Sequence, residues 1–303
     1  MLLLVAPCLA LGLCAFHICR LWGAALDDRS YVEDVRWLRD LFVRIKSGQN
    51  RTAEYYTKTT DRDYRILEWF FGPGMHTRLV GCPSQLDLLE RHLGNCKTVL
   101  EVGSGRGCCT MHLATNAPGI AFHGVDLVQR HVQVSAVAAP ENCTFFLADV
   151  ADHSYEPQYD LIFGVESMCH IGDLAFTRSL LRPGGRLVII DGFRGTGGVA
   201  MDMAEAGFRI NDRMPTKDEW ITLADPHGLR LIDNLDLTKN ALPFWTLGWS
   251  VARIVARFLP LQFLPVHSAA NLLAVCAVAQ ALRRKEAKYG MLVFVKSPVV
   301  FGT

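Results

Sequence analysis

The sequence predicts an α/β protein: a doubly wound, mostly parallel seven-stranded sheet, with an apolar helix before it and an apolar helical insertion near its end. Three observations predict this. From residue 98 onward, short apolar runs alternate with helical periodicities, as parallel strands joined by crossover helices require. The first run ends in a glycine turn, Gly103-Ser104-Gly105-Arg106-Gly107. The second and third end close to acids, Asp126 and Asp149.

The elements follow in order. Met1 to Cys19 carries no Asp, Glu, Lys or Arg, and Arg20 closes the segment. Such a run is just long enough to span a hydrocarbon core of about 30 Å as a helix. It reads as an uncleaved anchor over 1–22, with a cleaved signal ending at Gly23-Ala24-Ala25 as the rival reading. Arg20, Arg29, Arg36 and Arg39 follow it and place the rest of the chain on the cytosolic side. Residues 23–97 read as a helical cap. Leu38, Leu41 and Phe42 keep helical spacing, 54–80 is rich in Tyr, Trp and Phe, and Gly72-Pro73-Gly74 breaks the pattern. Ser84 is placed to cap a helix running to Leu93.

Residues 98–240 carry the alternation. Strands are expected at 98–102, 120–127, 144–147, 159–165, 186–191 and 228–233. Helices are expected at 108–115, 129–138, 174–181, 201–207 and 217–227, and Pro183-Gly184-Gly185 stops the third of these. Residues 241–288 form an apolar insertion. Phe258 to Leu282 lacks charge and is long enough for a span, but Pro260 and Pro265 argue against one straight helix, so a lipid-facing lid is the expectation. Residues 289–303 hold the closing strand and tail.

Composition excludes several classes. With 31 Lys+Arg against 30 Asp+Glu, the net charge of +1 leaves no electrostatic footprint for nucleic acid. A hydrophobic content of 50% excludes a wholly disordered chain. The 10 cysteines are scattered without paired C-x-x-C motifs, so they read as reduced, mostly buried thiols rather than zinc ligands.

The glycine turn carries the chemistry. Its glycines let the backbone turn sharply after a strand and approach a ligand closely. Asp126, ending the next strand, is placed to accept from both hydroxyls of a ribose. A nicotinamide enzyme would more usually show G-x-G-x-x-G; here the third glycine comes one residue early.

With these residues the chain resembles the class I S-adenosylmethionine-dependent methyltransferases over roughly 54–240. Glu101-Val-Gly-Ser-Gly-Arg-Gly107 is similar to the family's first motif and Gly124-Val-Asp126-Leu127 to its second. Ala148-Asp149-Val150, Tyr159 to Val165 and Leu181 to Leu187 match the next three. The resemblance implies a Rossmann-like sheet and S-adenosyl-L-methionine as cofactor. It also implies roles for the residues. Gly103, Ser104, Gly105 and Gly107 lie against the methionine part, Glu101 helps hold its amino group, and Asp126 with Leu127 takes the ribose. Asp149 accepts from the adenine amino group, and Val150 offers a backbone donor.

The block before the first motif narrows the group. Tyr55-Tyr56, Tyr64, Trp69 and Gly72-Pro-Gly-Met-His76 are similar to the region found in sterol C-methyltransferases, tocopherol methyltransferases and cyclopropane-synthase relatives. That implies substrate contacts from Tyr56, Tyr64, Trp69 and His76. Val165-Glu166-Ser-Met-Cys-His170 is similar to a Glu-x-x-x-His after the fourth strand in the same group. It implies catalytic roles for Glu166 and His170, stabilising a cation or removing a proton. The expected function is methyl transfer to a lipophilic acceptor (a sterol, a prenylquinone or a related lipid). Carbon is the favoured acceptor atom and oxygen or nitrogen the alternatives; a non-catalytic subunit of a membrane complex is a further reading. A membrane is the expected partner, at the endoplasmic reticulum with the catalytic domain facing the cytosol, and an organellar membrane is the alternative.

Overall fold

The computed structural model describes residue 68 and residues 76–151, 158–210, 213–258 and 266–298, with the side chains of 253–258, 266–270 and 272 excepted. The expected anchor over 1–22 and the candidate substrate residues Tyr56, Tyr64 and Trp69 lie outside these residues.

A 7-stranded sheet organises the described chain. Helix α1 (Gln85–Glu90) comes first. Strand β1 (Thr98–Val102), helix α2 (Cys108–Asn116), strand β2 (Ala121–Asp126), helix α3 (Gln129–Ala138) and strand β3 (Cys143–Leu147) make the first half. Strand β4 (Tyr159–Val165), a 3-10 turn (Met168–His170), helix α4 (Thr177–Leu180) and strand β5 (Leu181–Arg194) open the second. Helices α5 (Val199–Gly207) and α6 (Lys217–Ala224), a 3-10 turn (Asp225–His227), strand β6 (Leu229–Asp236), helices α7 (Thr238–Phe258) and α8 (Val266–Arg283), and strand β7 (Ala287–Lys296) complete it.

The strand order is β3-β2-β1-β4-β5-β7-β6. Strands β1 to β5 pair in parallel, and β7 inserts antiparallel between β5 and β6. The order reverses between β1 and β4, and such a switch point opens a crevice at the carboxyl ends of the strands. Both faces are covered. Leu89, Leu113, Phe122 and Phe163 belong to one buried cluster, and Leu100, Ile162, Trp220 and Phe294 to the other. Strands covered on both faces read as unbroken apolar runs, which is why Leu187-Val188-Ile189-Ile190 shows no alternation.

Local chemistry sets several boundaries. Ser84 caps α1 through a capping box with Asp87, and Thr216 caps α6 through one with Glu219. The expected helix 174–181 shortens to Thr177–Leu180, because the Asp173 carboxylate accepts from the N–H groups of Leu174 and Ala175 and holds a turn there. Strand β5 begins at Leu181, before Pro183-Gly184-Gly185, and pairs with β7 as far as Arg194.

The apolar insertion folds as a helical pair packed against α5 and β7. Helix α8 crosses α5 at Gly207, where a Cβ would stand 2.7 Å from the Ala274 backbone nitrogen. Two helices can approach this closely only without a side chain at the crossing. Among the described residues, no helix is long and apolar enough to cross a membrane.

The glycine turn depends on Gly107, which has φ +79° at the N-cap of α2. A Cβ there would lie 2.5 Å from Phe145 Cζ and 2.9 Å from Ser135 Cβ. Gly107→Ala is therefore expected to cost roughly 2–4 kcal/mol, from left-handed strain and overpacking together. Urea unfolding should show a lower midpoint with an unchanged slope; an unchanged midpoint would mean that the turn relaxes freely.

Candidate active site

A cavity of about 570 Å³ opens at the carboxyl ends of β1, β2, β4 and β5. One end is lined by the turns after β1, β2 and β3. Gly103, Ser104, Gly105, Asp126, Leu127, Asp149 and Val150 all line it. The turn is tied down by Asp126. Its Oδ2 accepts from the Gly105 N–H at 2.8 Å, and its Oδ1 accepts from the Val128 N–H at 2.8 Å. His131 Nδ1 lies 3.2 Å from the same Oδ1. A carboxylate has about four lone-pair sites, so Asp126 keeps capacity for one further donor beside these three partners, and for two where His131 Nδ1 carries no proton. Asp149 accepts from the Ala151 N–H at 2.9 Å, which leaves its second oxygen for a ligand.

Two further observations make this end fit a nucleoside-bearing cofactor. The Ser104 hydroxyl is buried without a partner, and buried polar groups without partners are costly. Gly105 has φ +53° and nothing within 4 Å of where a Cβ would stand, so the turn presents bare backbone to open space. Gly107 does not line the cavity; it supports the turn from behind, against Phe145.

Glu101 differs from its expected role. It is buried and lies outside the cavity lining, and its carboxyl accepts from the Thr110 N–H at 3.0 Å and from the Thr110 hydroxyl. Glu101 therefore caps the first turn of α2 from beneath. Burial pushes its pKa up from the usual carboxylate value to about 8, partly offset by the Thr110 bonds. The sign follows from linkage. A raised folded-state pKa gives stability that is full below the unfolded pKa and is lost as pH rises through about 8. Glu101→Gln cannot titrate, so its stability relative to the native protein should grow steadily from pH 5 to pH 8 in urea melts. A constant difference would mean that the carboxyl is already ionised in the fold at pH 5.

The opposite end centres on Glu166, just past β4. Its φ is +53°, unusual for a residue with a side chain. Two donors hold Oε1: the Thr77 N–H at 2.8 Å and the Tyr289 hydroxyl at 2.7 Å. The Gln85 amide donates to the Tyr289 oxygen at 3.1 Å and also to the Thr77 carbonyl. His76 Nδ1 stands 3.9 Å from Glu166 Oε2, and its Nε2 is 3.3 Å from Cys109 Sγ. Burial lowers the His76 pKa, partly offset by Glu166. His170 lines the same cavity, and burial takes its pKa down to about 4, so its ring is neutral at neutral pH. The structure thus brings Glu166, His170 and His76 to one cavity, with Glu166 held by Thr77 and Tyr289.

Sequence reasoning missed several cavity residues with polar side chains, among them Thr77, His131, Asp191 and Tyr289. Asp191 had a signal, since it ends the apolar run of β5 as Asp126 ends β2. Tyr289 had none, because only the antiparallel placement of β7 brings it beside β5. The remaining wall is mostly apolar and comes from α5, α7 and α8, including Met201, Phe208, Phe244, Trp245, Val275 and Leu282, with Asn271 of α8 as a polar member. Trp245 packs edge-to-face with Phe208 at 6.1 Å and with Phe244 at 5.3 Å.

Residues 99–185 match the family described as a methyltransferase domain. Among curated relatives, chloroplastic tocopherol O-methyltransferase of Arabidopsis thaliana is 28% identical over 170 residues, which make up 49% of this chain and 48% of that protein. The chain thus spans about half the length of that relative. Among solved structures, a geranyl diphosphate methyltransferase in complex with GPP and sinefungin superposes with TM-score 0.65 at 17% identity, over 81% of this chain and 98% of the other. Phosphoethanolamine N-methyltransferase 2 of Haemonchus contortus, in complex with phosphomonomethylethanolamine and S-adenosylhomocysteine, gives TM-score 0.65 at 19% identity, over 82% of this chain and 61% of the other.

Proposed function

We propose that this chain, which carries a Rossmann-like, S-adenosylmethionine-dependent methyltransferase domain, transfers the methyl group to a lipophilic acceptor. One observation carries the reading. A single cavity joins a glycine-turn end bearing Asp126, Asp149 and an unpartnered Ser104 hydroxyl to an end walled by Phe208, Phe244, Trp245, Met201 and Leu282. Bound at the first end, S-adenosylmethionine supplies a methyl group already activated on a sulfonium. The chain's own work is then to align the acceptor and exclude water. The aromatic and aliphatic wall suits a hydrocarbon body, and Glu166 with its Tyr289 and Thr77 partners stands where that wall meets the polar turns. Sterols and prenylquinones are the acceptor classes that the sequence resemblance favours. The relatives are named as C-, O- and N-methyltransferases, so their names leave the acceptor atom open.

Membrane association belongs to the same proposal and rests on the uncharged residues 1–19, which would hold the catalytic domain on the cytosolic face of the endoplasmic reticulum. The test is a comparison of lipid extracts from cells with and without the gene, after feeding labelled methionine. A labelled species heavier by one CH2 that appears only with the gene supports the reading; identical lipid profiles would end it.

A further inference from the structure

Among the described residues, the acceptor end holds a pair of carboxylates that no Lys or Arg partners, with His76 3.9 Å from Glu166 as the basic side chain nearby. Glu166 follows β4 and Asp191 lies on the neighbouring β5, and the Glu166 N–H donates to the Ile190 carbonyl at 2.9 Å, so the two acids sit side by side. Both line the cavity. Asp191 is buried and accepts from the Cys169 N–H at 3.0 Å and the Gly192 N–H at 2.7 Å, with the Cys169 thiol as a further hydrogen-bond partner. No Lys or Arg pairs with either acid among the described residues. The basic side chains of the lining are placed elsewhere: Arg106 lies 3.6 Å from Glu68, and Lys288 is exposed at the rim. Two adjacent like charges, one buried at Asp191 and one half-buried at Glu166, are costly without a Lys or Arg beside them, and such a cost at a cavity wall marks a place for a ligand.

A second, independent observation points the same way. The Thr77 hydroxyl is buried without a partner, and Thr77 is only 1% exposed, lines the cavity, and donates its backbone N–H to Glu166. This end therefore offers two carboxylates and a hydroxyl oxygen. A carboxylate or phosphate head would meet repulsion there, and a plain hydrocarbon would leave the Thr77 hydroxyl without a partner and the two carboxylates without a counter-charge. An ammonium carries one positive charge and up to three N–H donors. The rings of Phe208, Phe244 and Trp245 suit the apolar remainder.

We propose that the methyl acceptor is a lipophilic amine, bound as its ammonium against Glu166 and Asp191, with Thr77 completing the head-group site. The inference rests on the methyltransferase reading and selects nitrogen over the carbon that the sequence favoured. The carboxylate pair also serves as proton acceptor. An N–H bond of the ammonium breaks, an O–H bond forms on the pair, and the electron pair stays on nitrogen, as a methyl acceptor requires. The proton then leaves the carboxyl group for water.

The titratable groups facing Asp191 are Glu166 after β4, Cys169 on the 3-10 turn and Tyr289 on β7, with His76 beyond Glu166. Burial first, then Glu166, raise the Asp191 pKa to about 7, opposed by the backbone bonds. Decylamine remains charged from pH 6 to pH 8, while the pair gains negative charge over that interval. Its binding should therefore tighten as pH rises.

The test uses the full chain saturated with S-adenosylhomocysteine and titrates decylamine, decan-1-ol and decanoate by calorimetry. Decylamine is expected to bind roughly tenfold or more tightly than decan-1-ol, with decanoate weakest. Asp191→Asn and Glu166→Gln should each remove most of that preference while S-adenosylhomocysteine still binds, which also reports that the variants fold. Equal or tighter binding of decan-1-ol overturns the inference, as does a preference that survives in both variants. Failure of S-adenosylhomocysteine itself to bind would instead strike the methyltransferase reading.

Discussion

Asp126→Ala is expected to weaken S-adenosylhomocysteine binding by roughly a hundredfold or more. The figure follows from the proposed cofactor site, in which Asp126 would accept two charge-assisted hydrogen bonds from a ribose diol, each contributing about 1.5 kcal/mol or more. The substitution also removes the acceptor for the Gly105 and Val128 N–H groups, which the native carboxylate binds at 2.8 Å each. The glycine turn would then lose its tether at the point where it must meet the cofactor. Asp126→Asn separates the two effects. It keeps one oxygen for a backbone donor but loses the charge, so its affinity should fall between those of the native protein and the alanine variant. Calorimetric titration measures both, with circular dichroism to verify the fold. Native affinity in the alanine variant would remove Asp126 from the cofactor site.

The legible parts of this protein are those whose cause is local. The strand at 98–102, its glycine turn and the helix at 108–115 follow from residues adjacent in the chain, and the structure places them within a residue of expectation. The acids at 126 and 149 were readable for the same reason, since each follows a short apolar run. Glu101 shows the limit. Its position in the motif was clear, but the direction of its side chain depends on Thr110 lying one turn into the next helix. The acceptor end was harder still. Tyr289 and Thr77 donate to Glu166 from separate segments while Gln85 bridges the two, and the Tyr289 contact depends on β7 inserting antiparallel beside β5. No spacing in the sequence encodes that arrangement. Asp191 falls between these cases, because its place at the end of an apolar strand matches Asp126, but its pairing with Glu166 appears only when β4 and β5 are adjacent.

Glu166→Gln should reduce methyl transfer by roughly a hundredfold to a thousandfold, the range expected when a positioned proton acceptor is lost. Affinity for S-adenosylhomocysteine should change little, because the donors to Oε1 come from Thr77 and Tyr289 rather than from the glycine turn. The amide keeps an oxygen for these two donors, so the fold and the local φ of +53° should persist. What disappears is the negative charge and the site that receives a proton. The backbone strain, about 1–2 kcal/mol for a side-chain-bearing residue in this region, is sustained by those same two bonds. Tyr289→Phe tests that point. It leaves the Glu166 charge in place but removes one donor, so turnover should fall by less, roughly threefold to thirtyfold. Transfer from tritiated S-adenosylmethionine into a lipid extract that serves as acceptor gives the rates, and titration gives the affinities. If Glu166→Gln lowered rate and cofactor affinity by the same factor, Glu166 would be a cofactor-binding residue. If Tyr289→Phe cost as much as Glu166→Gln, the tyrosine hydroxyl rather than the carboxylate would be the group that handles the acceptor's proton.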